Sequence, residues 1–289
     1  MKQLKPDLST TKIDPYSLEW LPASLNDLLN ELEALKQTAE ESNSLLLFRG
    51  HRQREWRLDS TFARTVKNKL FSMQAHEGYS IRLRDSGDLN LALTSLLLLK
   101  YGTIFEPSAE LKRVETEHDV DSWFELMKRH QQHPTEDIPV LQGSNFLDWS
   151  RSSDVALYFA NLNRNGAGAI FVCDASATGK TQQTLRVLDI LRKVREQMMQ
   201  GQANGAPLLF SPQNQILNQR AKNQQAVYFA QMELRLDLAE LWRMTERTLN
   251  NETIVVKLIV PPGTEHELER YLVGKGTDRK FIFPDDLDK

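Results

Sequence analysis

An α+β fold is what this sequence predicts, and three observations carry the expectation. Strand-like apolar runs and helix-like amphipathic stretches share the chain, they do not alternate strictly as in a doubly wound sheet, and no repeat or low-complexity tract breaks them up. The 289 residues suffice for one large domain or two small ones, and 40% apolar residues supply a sizeable core.

The elements follow in order. Ser24 caps a helix in which Leu25, Leu28, Leu29, Leu32 and Leu35 recur at helical spacing, with Asp27 as the capping-box acid. Leu45 to Phe48 reads as a strand buried on both faces that delivers Arg49 to the rim of a sheet, where a planar guanidinium can hold a phosphate or carboxylate at two points. Gly50 lets the backbone turn or a ligand approach closely. Helices are expected around 88–101 and 121–133, and a charge-rich loop joins them. Ser152 or Asp154 caps a helix through Val155, Ala156, Tyr158 and Phe159, and Ala169 to Cys173 follows as a buried strand. Leu185, Leu188, Leu191 and Val194 form the stripe of a helix over 184–201. A helix from about Leu236 to Leu249 precedes an alternating strand from Thr253 to Val260, ended by Pro261 and Pro262. Thr264 and Glu267 make a capping box opening the last helix, and Lys280 to Phe283 returns as a short strand.

Composition limits the function classes. The net charge of −3 argues against a chain that coats nucleic acid with a general positive field. Charge is uneven, however: Arg49, Arg52, Arg54, Arg57, Arg64, Lys67 and Lys69 face only Glu55 and Asp59 over 49–69, which makes a local anion site. No apolar run approaches the ~20 residues of a spanning helix, the lysines near Met1 are followed by no apolar segment, and a single cysteine excludes an internal disulfide. No membrane association and a cytoplasmic location are therefore expected. Cys173 sits mid-strand without basic neighbours, so it is no nucleophile. His130 and His133 lack further ligands at metal spacing, and no phosphate-cradling glycine loop is present, so no metal is expected.

Several segments together resemble the FRG family. Phe48-Arg49-Gly50 is its name-giving triplet, and Trp56 to Arg64 fits the continuation W-x-L-x-[PS]-x-x-x-R. Leu147-Asp148-Trp149-Ser150 fits L-D-W-[ST], Ala156 to Ala160 fits A-L-x-F-A, and Asn218-Gln219-Arg220 with Gln224 and Tyr228 looks like N-x-R-x-x-x-Q-x-G-x-F. Leu272 to Gly276 and Phe283-Pro284-Asp285 look like the closing L-x-x-x-G and F-P-D-L. The resemblance implies a helical segment over 1–43 packed on an FRG domain over 44–289, with helical insertions at about 64–135 and 180–210.

The order of a strand-borne arginine, a Ser-x-Ser and a late polar strand resembles the layout of ADP-ribosyltransferases, which implies a split mixed or antiparallel sheet with flanking and inserted helices. It further implies that Arg49, Ser150 and Gln224 are catalytic, and that Phe48, Arg49, Gly50, His51, Trp149, Ser152 and Arg220 bind NAD as substrate. Gln224 and Gln225 stand where that layout expects a glutamate, with Glu233 as a more distant acid; a glutamine can bond a ribose hydroxyl but carries no charge to stabilise an oxocarbenium-like centre. The implied activity is transfer of ADP-ribose from NAD to a protein or nucleic-acid acceptor, RNA or DNA, by a bacterial toxin or antiviral effector with an antitoxin as further partner. The alternatives are NAD hydrolysis, a non-catalytic nucleotide- or RNA-binding module, and a scaffold in a toxin–antitoxin complex.

Bland readings stay open beside these. Arg49 can pair with Asp148 to join two core segments, and Trp149 can be core packing instead of a ring platform. Ser152 can be only a helix cap, Gln224 can brace the sheet, and His51 can orient a substrate, act as a base or sit in a turn.

Overall fold

The computed structural model describes residues 11–14, 18–68, 143–176, 208–210, 219–231, 233–248 and 253–285. The helices expected at 88–101, 121–133 and 184–201, the histidines at 130 and 133, and most of the two expected insertions lie outside these residues.

Apolar runs buried on both faces build the centre of the sheet. Its strands are β1 (Lys12–Ile13), β2 (Trp20–Leu21), β3 (Leu46–His51), β4 (Phe146–Ser150), β5 (Gly168–Asp174), β6 (Leu208–Phe210), β7 (Ala226–Ala230) and β8 (Val255–Val260). They lie in the order β1-β2-β8-β5-β3-β4-β7-β6, antiparallel throughout except for the parallel pair β2–β8. Residues 208–210, expected within a helical insertion, are thus an edge strand against β7.

The expected split sheet is corrected to one continuous sheet with an uneven seam. On one flank β3 joins β5 through six registered pairs, from Leu46 with Asp174 to His51 with Ala169. On the other flank β3 meets β4 at the single pair Phe48 with Ser150, after which the two strands part. Apolar side chains continue across β3 from both neighbours, which keeps the sheet whole, while the residues that follow Phe48 on β3 are Arg49 and Gly50, which offer no apolar partner to β4.

Helices cover both faces. α1 (Leu25–Glu41) begins as expected at Ser24, whose Oγ accepts from the Asp27 amide at 3.1 Å. It packs Leu28, Leu32 and Leu35 with α3 (Ser153–Asn161) and α6 (Glu265–Gly274) onto Leu46, Phe48, Ile170, Val172 and Leu258. The opposite face carries Leu47, Leu147, Trp149, Phe171, Val227 and Phe229 under α5 (Leu238–Thr248), with Leu58 from the loop after β3. That loop runs into α2 over 61–68, where Ser60 Oγ accepts from the Ala63 amide. α4 (Gln219–Asn223) precedes β7, and α7 (Arg279–Ile282) follows α6.

Two expectations about the final segment are corrected. Thr264 starts α6 without a side-chain cap, because its hydroxyl donates to Pro261 O at 2.7 Å and accepts from Arg164 Nη2 at 3.0 Å. Lys280 to Ile282 is helical, with Phe283 as the C-cap, and not a strand. At the end of α6 the Thr277 amide donates to Leu272 O and the Gly276 amide to Val273 O, with Gly276 at φ 73°, which is a Schellman turn that glycine permits. The turn presents Asp278, whose carboxylate caps α7 by accepting from the Phe281 amide.

Candidate functional site: a basic cleft at the opened seam

Where β3 and β4 part, a cavity of about 370 Å³ opens, within the range of small-ligand sites. It is lined by Phe48, Arg49, Gly50 and His51 of β3, by Asp148, Trp149 and Ser150 of β4, by Val155, Ala156 and Phe159 of α3, and by Arg220 and Gln224 around α4. Arg52, Trp56 and Arg64 complete the rim from the segment after β3. Four arginines and one carboxylate thus share one small space.

Arg49 is the hinge of this geometry. Its Nη1 donates to the backbone carbonyl of Asp148, and its Nε donates to His51 Nε2 at 3.1 Å. The side chain therefore supplies a donor to β4 at the place where strand pairing has stopped. Burial pushes its pKa down to about 10, with the Asp148 charge opposing and Arg64 adding to the fall, so at neutral pH the cation persists. The expected side-chain pair with Asp148 is replaced by this bond to the Asp148 main chain.

His51 is buried, and its ring lies edge-on to Phe171 at 5.1 Å and to Trp56 at 6.0 Å. Because Nε2 accepts from Arg49, Nδ1 is the protonated nitrogen and faces Trp56 O at 3.4 Å. Burial, then the neighbouring Arg49 charge, hold its pKa well below the usual value. A neutral ring whose lone pair is already engaged orients the guanidinium; it is not placed to act as a general base.

Ser150 and Ser152 form a chained brace. Ser150 Oγ donates to Gln224 O at 2.7 Å and accepts from the Ser152 amide at 2.9 Å. Ser152 Oγ caps α3 by accepting from the Val155 amide at 3.3 Å, and Ser152 does not line the cavity. Gln224 borders the cavity while its Nε2 donates to Ile282 O at 3.1 Å. Arg220 places its guanidinium 4.5 Å from the Phe283 ring, which also meets Tyr158 and Phe159. Asn223 Nδ2 donates to Phe281 O at 2.6 Å, so α7 backs the α4 side of the cleft.

Gly50 is glycine for a reason other than ligand approach. A Cβ there would meet Ala156 O at 1.8 Å and Ala160 N at 2.7 Å, because α3 lies directly on β3. Trp149 borders the cavity, but its ring packs edge-on against Phe229 at 5.6 Å and Trp242 at 5.7 Å in the core. Glu233 is buried and bonded to Arg235 at 3.0 Å, away from the cleft lining. The thiol of Cys173 is pushed well up by burial, with Asp174 and Glu246 adding to the effect.

Sequence reasoning missed Trp56 and Asp148 as cleft residues and reached Arg52 and Arg64 only as members of the basic stretch. Arg52 lies 5.1 Å from the Trp56 ring and holds an aromatic surface at the rim. The cluster of basic residues over 49–69 was the available signal, and the structure divides it. Arg54 and Lys257 pair with Glu19 at 2.6 Å each, Arg57 with Asp237 and Glu240, and Lys67 with Asp59, whereas Arg49, Arg52 and Arg64 turn to the cleft. Burial opposes ionisation of Glu19, but its bonds to Lys257 and Arg54 win and its pKa falls. Among the described residues no group of His, Cys, Asp and Glu gathers to hold a metal, and no helix is long and apolar enough to cross a membrane.

Fold and cleft together define an α+β protein with a basic pocket at an opened strand seam. The FRG domain family model matches residues 44–167, a span that includes β3, α2, β4 and α3, so this part of the chain is similar to FRG domains. No curated protein and no solved structure matches the chain.

Proposed function

We propose that this protein is an ADP-ribosyltransferase-like enzyme that takes NAD into the β3–β4 cleft and transfers ADP-ribose to a macromolecular acceptor. The observation that carries the reading is the convergence of Arg49, Arg52, Arg64 and Arg220 on one cavity of small-ligand size. Guanidinium groups favour phosphate oxygens by charge and two-point geometry, and Trp56 under Arg52 offers a face on which a base can stack. In this reading Arg49 binds the dinucleotide, His51 and the Ser150 brace hold the walls in place, and Gln224 lies where a ribose would pass. The order of these segments resembles that of ADP-ribosyltransferases. A protein, RNA or DNA acceptor, a cytoplasmic toxin or defence setting and an antitoxin partner come from the same resemblance.

A binding module without turnover is the second reading, favoured by one observation. Two of the late polar candidates are already engaged, Gln224 donating to Ile282 O and Glu233 accepting from Arg235.

Incubating the purified protein with NAD labelled in the adenylate and with cell extract separates the readings. Label recovered on protein or nucleic acid, with loss in Arg49→Lys, is expected. Free ADP-ribose alone indicates hydrolysis, and binding without nicotinamide release indicates the module.

A further inference from the structure

Among the described residues Asp148 is the one acidic side chain in the cleft lining, and it is unlike the acids around it. Glu19, Asp59, Glu233 and Asp237 are each held by a cation at 3.0 Å or less. Asp148 is exposed, its main-chain oxygen takes the bond from Arg49, and its charge favours the buried Arg49 cation without a close salt bridge to it. Strand parity places it with Ser150 on the α3 side, where Val155, Ala156 and Phe159 give the cavity an apolar wall. Arg52, Trp56 and Arg64 line it from the segment whose Leu58 packs on the opposite face.

A cleft with several guanidinium groups and one exposed carboxylate beside an apolar wall suits a ligand that is anionic at one part and cationic, flat and apolar at another. A nicotinamide dinucleotide in its oxidised form has that pattern, with a diphosphate and a pyridinium ring; the reduced form has lost the ring charge. Resting on the function proposed above, we infer that Asp148 is the carboxylate that engages the cationic nicotinamide riboside and steadies the ribosyl cation, taking over the charge that no late glutamate supplies.

In the step so described the bond between ribose C1′ and the nicotinamide nitrogen breaks, and its electron pair stays on the neutral nicotinamide. C1′ becomes electron-poor beside Asp148. An acceptor oxygen or nitrogen then bonds to C1′ and releases its proton to Asp148 or solvent. No oxidant or reductant is consumed.

The test uses the full chain with oxidised and reduced dinucleotide, measuring binding by calorimetry and turnover by nicotinamide release, for the wild type, Asp148→Asn and Asp148→Glu. The expected result is tighter binding of the oxidised form by about tenfold in the wild type, a preference absent in Asp148→Asn. Nicotinamide release is expected to fall about 100-fold in Asp148→Asn and to return in part in Asp148→Glu. Unchanged melting temperatures establish that the exposed side chain acts on the ligand and not on the fold. Wild-type release matched by Asp148→Asn, with the binding preference retained, overturns the role of Asp148 and leaves the enzyme reading standing. A wild type that binds the oxidised dinucleotide but never releases nicotinamide overturns the enzyme reading, and the binding preference alone then decides the role of Asp148. A wild type that binds neither form overturns both.

Discussion

The two flanks of β3 are built from one six-residue strand and behave as opposites. Toward β5 the strand is registered along its whole length, and Leu47 and Phe48 sink into the two cores. Toward β4 it is held by one pair, and beyond that pair the side chain of Arg49 reaches to the carbonyl of Asp148. The lesson is that a stiff, fully paired flank permits an open one. Arg49 and His51 stay in place because Phe171 and Ala169 pin their backbone from the closed side, and preorganisation of that kind is what a binding site requires.

The largest expected effect comes from forcing the helix off this strand. Gly50→Ala places a methyl group against main-chain atoms of α3 that cannot swing aside, so a loss of about 3 kcal/mol or more in urea unfolding is expected, with the cleft disordered.

Next comes a paired substitution, one on each neighbour of Phe48. Leu47→Ala, on a fully buried side chain, should cost about 2–5 kcal/mol and leave ligand affinity intact where the protein remains folded. Arg49→Lys should cost only about 1–2 kcal/mol, because the bonds to Asp148 O and His51 are lost beside a cavity that water can enter, yet abolish dinucleotide binding nearly as fully as Arg49→Ala. Equal affinity in Arg49→Lys and wild type would break the comparison.

The pH dependence is smaller. In the fold the pKa of His51 lies well below 6.5, so below pH 6.5 the unfolded chain binds a proton that the native state refuses. Its contribution is present in full above pH 6.5 and is lost as pH falls toward the folded value, at up to about 1.4 kcal/mol per pH unit. Melting curves from pH 7.5 to 5 should slope less for His51→Gln than for the wild type.

Smallest of all, Ser152→Ala should cost about 1 kcal/mol through the lost cap of α3 while leaving ligand affinity unchanged. A large loss of affinity at unchanged stability would return Ser152 to the site.

Much of this was legible in the chain. Leu45 to Phe48 and Ala169 to Cys173 announce buried strands by apolar runs, and Ser24 announces α1 by its cap. Of the four residues expected at one rim because each ends or flanks an apolar segment, Arg49, Ser150 and Gln224 line the cleft and Ser152 does not, while Arg220, expected from the family resemblance, lines it too. The core reading of Trp149, which its apolar neighbours suggested beside a role in the site, agrees with its packing on Phe229 and Trp242, although the ring also borders the cavity. What the chain concealed depends on contacts distant in sequence. Thr264 looked like a cap until Pro261 and Arg164 claimed its hydroxyl, and Lys280 to Phe283 looked like a strand because nothing local reveals the turn at Gly276. Trp56 and Arg52 reach the rim through an irregular loop whose path is set by bonds such as Leu238 N to Leu58 O, which no periodicity encodes.

The backing of the cleft by α7 has a consequence for the timing of synthesis. Gln224 and Asn223 rest on the carbonyls of Ile282 and Phe281, and Arg220 on the ring of Phe283, while the arginine they face stands at position 49. A ribosome must therefore release more than 230 further residues after Arg49 before the α4 side of the cavity has its support. Contacts of such sequence separation form late, so a nascent chain can pair β3 with β5 long before it possesses a complete cleft, and whatever the cleft binds has no finished site until translation has passed Phe283.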